Sequence, residues 1–108
     1  MPTIAPVDVD GYIVRAGFLN DTAYFASGEG SVCFVEGAEN RVTAHKGGLL
    51  AAERTQDGKA LVTSGDDGLI QQVTVDGTIS LLAERPRKWI DLLACGPDGA
   101  VAFASGRT

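Results

Sequence analysis

The chain has a single histidine, His45, and an imidazole can pass protons near neutral pH. With Thr63 as hydroxyl and Asp67 as carboxylate, it could form a nucleophile–base–acid relay of the acyl-transfer kind. No GxSxG-type setting for a nucleophile occurs in the sequence, so the three residue types lack the surroundings that such catalysis uses. A second group is basic and aromatic, Arg85-Pro86-Arg87-Lys88-Trp89. Arg and Trp are enriched among the residues that carry binding energy at interfaces, which makes Arg85, Arg87, Lys88 and Trp89 the candidates for touching a partner. Metals find little. Asp8-Val9-Asp10-Gly11 starts like a calcium loop, but Tyr12, Ile13 and Leu19 stand where further ligands, a glycine and a bidentate glutamate would be needed. One histidine and two separated cysteines make no zinc set. His45-Lys46-Gly47-Gly48 lacks the GxxxxGK[ST] phosphate cradle. No catalytic residue, metal or cofactor is therefore assigned.

A chain of 108 residues is one small domain at most. Its hydrophobic share, 44%, is that of a globular core. The net charge of −5 speaks against a nucleic-acid footprint, since such domains are usually basic. No apolar run approaches the roughly 18 residues of a membrane-spanning helix, and MPTIAPVDVDG lacks the basic and apolar regions of a secretory signal. Cys33 and Cys95 lie in apolar runs without CxxC spacing and read as reduced, buried thiols. The expectation is a cytoplasmic protein that binds neither nucleic acid nor membrane.

The elements that must position these groups are short strands. Along Tyr12 to Leu19 the residues Tyr12, Val14, Ala16 and Phe18 are apolar while Arg15 and Gly17 fall on the other side, the period of a strand. Thr22 to Ala26 and Ser31 to Val35 follow, each bounded by a turn. A turn over residues 36–40 leads to Arg41 to Ala44. The pattern then recurs: Gly48 to Arg54, Ala60 to Ser64, Leu69 to Val75, and Thr78 to Ala83 with Ile79, Leu81 and Ala83 on one face. A third pass starts at Trp89. Lys88 to Cys95 has some helical spacing, but eight residues make a marginal helix, and the repeat aligns it with a strand. Thr3 to Val9 is a short, Pro-flanked edge strand.

Repetition distinguishes the architecture. Asp57-Gly58 and Asp98-Gly99 are 41 residues apart, as are Ser64-Gly65 and Ser105-Gly106, and Ser27-Gly28 precedes Ser64-Gly65 by 37. Four strands repeating about every 40 residues point to a propeller instead of a sandwich. Over His45 to Val75 the sequence resembles the WD-repeat family. The resemblance implies that His45, Thr63 and Asp67 form a structural hydrogen-bond set, with Val73 where the family carries its Trp.

The fold expected is all-β, an incomplete β-propeller of WD-repeat type. Residues 1–10 would be an opening edge strand, 11–44 the first blade, 45–83 the second and 84–108 part of a third. The resemblance implies a non-enzymatic scaffold that recruits a protein or peptide through its loop face. A second reading puts a ligand or enzymatic site in the central channel, where Arg15, Glu53 and Arg54 are the only charges of the first strands. A third is a self-assembling module. The chain reads as a piece of a longer protein, or as a homo-oligomer if it is complete.

Overall fold

The computed structural model describes residues 12–36, 38–85, 90 and 92–104. Four strands, β1 (Ile13–Leu19), β2 (Thr22–Ser27), β3 (Ser31–Glu36) and β4 (Ala38–Thr43), form one antiparallel sheet in chain order. A second such sheet holds β5 (Leu49–Arg54), β6 (Ala60–Gly65), β7 (Leu69–Thr74) and β8 (Ile79–Glu84). A third pairs β9 (Leu92–Cys95) with β10 (Val101–Ala104), joined through a 3₁₀ turn over Pro97–Gly99. The strand proposed for Thr3 to Val9 and the Ser105-Gly106 turn lie outside the described residues.

The two full sheets repeat one another in detail. In each, the register of the first hairpin slips by one residue at the same place, between Ile13 and Arg15 and between Leu49 and Ala51. Such a bulge bends a strand and increases its twist. Each second turn is closed alike, Gly30 N–H donating to Ser27 O and Gly68 N–H to Gly65 O. Both glycines have positive φ, 100° and 77°, a region that residues with a Cβ rarely enter. The first strands of successive sheets, β1, β5 and β9, lie side by side, an arrangement consistent with an incomplete propeller-like fold.

Stacking creates the core. Leu19, Tyr24, Ala26, Val32, Phe34 and Val42 of the first sheet pack on Leu49, Ala52, Leu61 and Val73 of the second. The other side of the second sheet, through Val62 and Ile70, meets Ile90, Leu93, Cys95, Val101 and Phe103. With both faces covered, β6 (ALVTSG) is buried along its whole length. The run Ala-Leu-Val suits such a site because neither face needs to be polar.

Several details depart from the sequence reading. Residues 36–40 are not a five-residue turn, since Glu39 pairs with Val35 and Asn40 with Phe34 in the ladder. Polar residues read as a turn, yet the outermost strand of a sheet tolerates them equally well. Ile79, Leu81 and Ala83 do not share a face. A slip between Ile70 and Gln71 pairs Ala83 with Ile70 and Leu81 with Gln71, which turns Ala83 toward β9–β10 and leaves Leu81 exposed. The apolar residues of β1 also do not share one environment: Val14 packs on the core, whereas Phe18 is 59% exposed and Leu19 is buried. Of the stretch 88–95, residues 92–95 are strand, while 88, 89 and 91 lie outside the described residues.

Two hairpin turns share a Thr-x-Asp-Gly-x design. Asp57 Oδ1 accepts from Thr55 Oγ1 at 2.6 Å and Lys59 N–H at 3.0 Å. Asp76 Oδ1 accepts from Thr74 Oγ1 and, at 2.9 Å, from Thr78 N–H. The threonine hydroxyl first, then the backbone N–H, holds each carboxyl below the ordinary value of 3.8. Because the folded values are depressed, the turns keep this support above the ordinary value and lose it as pH falls through the folded one. An NMR titration of Asp57 should give a midpoint below 3.8, moving upward in Thr55→Val. For the core, Leu61→Ala should lower the urea-unfolding free energy by about 2–5 kcal/mol, whereas Phe18→Ala should change it by under about 1 kcal/mol.

Candidate functional site

The segment between β4 and β5 is fastened backward before it reaches forward. Ala44 N–H and His45 N–H both donate to Gly30 O, at 2.9 and 3.0 Å, and Leu49 N–H donates to Gly28 O at 3.3 Å. All three bonds end on the β2–β3 turn. The buried His45 ring then enters the second sheet. Its Nδ1 lies 3.1 and 3.0 Å from the two carboxylate oxygens of Asp67, and its Nε2 lies 2.9 Å from Thr63 Oγ1. A carboxylate only accepts, so Nδ1 carries the proton and donates. In the neutral ring Nε2 is then the acceptor for the Thr63 hydroxyl. Asp67 is itself held, its Oδ1 accepting Leu69 N–H at 3.0 Å across the β6–β7 turn.

Neighbouring groups reinforce the same junction. Asp66 Oδ1 accepts Gly48 N–H at 3.0 Å, and Asp66 N–H donates to Gly48 O at 3.0 Å. Gln71 Nε2 donates to Ala44 O. Gly65 passes so close that a Cβ there would sit 2.8 Å from His45 Nδ1 and 2.7 Å from Gly48 O, a gap only glycine fits. The His45 side chain is fully buried, as is Thr63, so a substrate has no path to the hydroxyl. What this arrangement does chemically is bind one sheet to the next.

The basic segment is fastened by the same device one sheet later. Arg85 N–H donates to Gly68 O at 2.7 Å and Ile90 N–H to Gly65 O at 3.4 Å. Ser64 Oγ donates to Ile90 O at 2.5 Å. Both ends of residues 85–90 therefore rest on the β6–β7 turn that Asp67 and His45 hold. The exposed Arg85 donates through Nη1 to Glu84 O at 2.8 Å, and its guanidinium carbon lies 5.3 Å from the Phe103 ring centroid, within cation–π range. Arg87, Lys88 and Trp89 lie outside the described residues.

Ser64 and Gln71 were not singled out in the sequence. Their partners, the carbonyls of Ile90 and Ala44, are 26 and 27 residues away, and no local pattern marks such a bond. The Ser-Gly pairs that mark the repeat were the available hint. At the opposite end of the strands, Arg15 and Glu53 form an ion pair at 3.2 Å between β1 and β5. Among the described residues no group of three or more His, Cys, Asp or Glu side chains is placed to hold a metal. None of their helices is long and apolar enough to cross a membrane.

Comparison with known protein-family models gives no match, and comparison with curated proteins gives none either. The geometry therefore carries the functional argument.

Truncating one member of the buried set leaves another polar group unpaired, at about 1–3 kcal/mol. Thr63→Val should lower the unfolding free energy by that amount. His45→Ala should cost at least as much and also speed amide exchange at Leu69, whose N–H bonds to a carboxylate no longer held. Urea denaturation with hydrogen exchange followed by NMR measures both.

Proposed function

We propose that the chain belongs to a β-propeller of WD-repeat type and acts as a non-enzymatic platform for a protein or peptide partner. The support is the way both connecting segments, 44–49 and 85–90, are pinned to the turn of the preceding sheet. Such pinning gives loops at one end of the stack a rigid base, and binding residues commonly sit on loops held by a rigid scaffold. In this reading His45, Thr63 and Asp67 are structural, and Val73, buried in the core, fills the place of the family's Trp.

Contact with the partner runs through the basic segment and engages Arg85, Arg87, Lys88 and Trp89. The positive charge is concentrated there in a chain of net charge −5, which favours an acidic partner surface. A cytoplasmic location belongs to the same reading and is supported by Cys33 and Cys95, which stand on different sheets and form no disulfide with each other.

The double variant Arg87→Ala with Trp89→Ala should reduce recovery of the partner in a pull-down by about tenfold or more, with the thermal melt nearly unchanged. Unchanged recovery would overturn the assignment of this segment.

A further inference from the structure

The end of the strands away from His45 carries a feature that the scaffold reading does not use. Residues 15–18 of β1 and 53–56 at the end of β5 line an open cleft of about 500 Å³, with Tyr24 and Cys95 completing its wall. Its size is within the range of small-ligand sites. The charged groups lining it are Arg15, Arg54 and Glu53, a local excess of one positive charge in an acidic chain.

Tyr24 is the decisive residue. It is 3% exposed, and its hydroxyl sits over Gly17, where a Cβ would come within 2.8 Å of the oxygen. Among the described residues none forms a hydrogen bond to that hydroxyl, and no fully buried polar side-chain atom lacks a partner. The hydroxyl therefore opens to the cleft with its donor unspent, although buried phenols normally find a partner. Beside it, Arg54 makes one long hydrogen bond, Nη1 to Phe18 O at 3.4 Å, which leaves most of its five N–H donors free. Arg15 is engaged by Glu53 through one nitrogen at 3.2 Å.

The donors thus outnumber the acceptors, and the one carboxylate already has a cation. A guanidinium fork matches the two oxygens of a carboxylate, as it does a phosphate. Glu53 decides between them, because a nearby negative charge opposes a dianion more than a monoanion.

We propose that this cleft binds a carboxylate-bearing ligand, with Arg54 and the Tyr24 hydroxyl as its principal donors and the Arg15–Glu53 pair setting its charge. The carboxylate belongs either to a free small acid or to the C-terminus of a peptide. The site is separate from the loop face assigned above, so either assignment can fail alone.

The full chain is titrated by NMR with propionate, with a short uncharged-side-chain peptide bearing a free C-terminus, with the same peptide amidated, and with inorganic phosphate. Shifts at Gly17, Tyr24 and Arg54 are expected with propionate or the free-acid peptide, whichever binds tighter naming the source. Arg54→Gln should weaken binding about tenfold or more and Tyr24→Phe about threefold, with melting unchanged for Arg54→Gln. Lys46→Gln, which removes a charge at the other end of the sheets, should leave it unaltered. The proposal is overturned if neither carboxylate shifts these residues at tens of millimolar or if amidation makes no difference. It is likewise overturned if phosphate binds more tightly, or if Lys46→Gln weakens binding as much as Arg54→Gln.

Discussion

Much of this structure hangs on a single junction, where the segment leaving one sheet is bonded to that sheet's central turn before it starts the next. The backbone part of the junction occurs twice. Gly28 and Gly30 accept from residues 44, 45 and 49, and Gly65 and Gly68 accept from residues 85 and 90. Carbonyls in a turn would otherwise need water or a cap, since buried polar backbone must be paired. The incoming segment satisfies them and is thereby forced to begin its strand alongside the previous one. That is why β1, β5 and β9 come to lie in sequence.

Side chains strengthen the two junctions in different ways. At the first, His45 spans from the segment to Thr63 and Asp67 in the following sheet, so three successive pieces of chain are tied through one ring. At the second, Ser64 binds the Ile90 carbonyl from below, and Arg85 lies over Phe103. The repeat is therefore a repeat of backbone geometry, with different side chains doing the fastening. The first sheet illustrates the point: Phe25 and Glu29 stand where Thr63 and Asp67 do in the second, and the ladder registers are the same.

The middle sheet shows what stacking contributes. Its second strand is buried from end to end, whereas the outermost strand β8 keeps Ile79, Leu81 and Leu82 exposed. Burial is highest in the second strand of each full sheet and lower in the first strand. The two ends of the strands also differ in chemistry. One end holds the imidazole of His45 against Asp67; the other holds the Asp57 and Asp76 turns and an open cleft with unspent donors.

Sequence alone determined the strands, most of their turns and their spacing, because alternation and Asp-Gly or Ser-Gly punctuation are local properties of a chain. It also singled out His45, Thr63 and Asp67, since a lone histidine and a polar turn are conspicuous in a run of apolar residues. It could not decide which side of a strand is covered. In β1 the apolar Phe18 is exposed, whereas Gly17 lies against Tyr24 of its own sheet and Arg15 pairs with Glu53 of the second sheet. Neither could it reveal a one-residue slip such as that beside Ile70, which arises from pairing between strands. Bonds like Ser64 to Ile90 and Gln71 to Ala44 belong to the tertiary structure for the same reason. They join groups that are remote along the chain and meet only once the sheets have stacked.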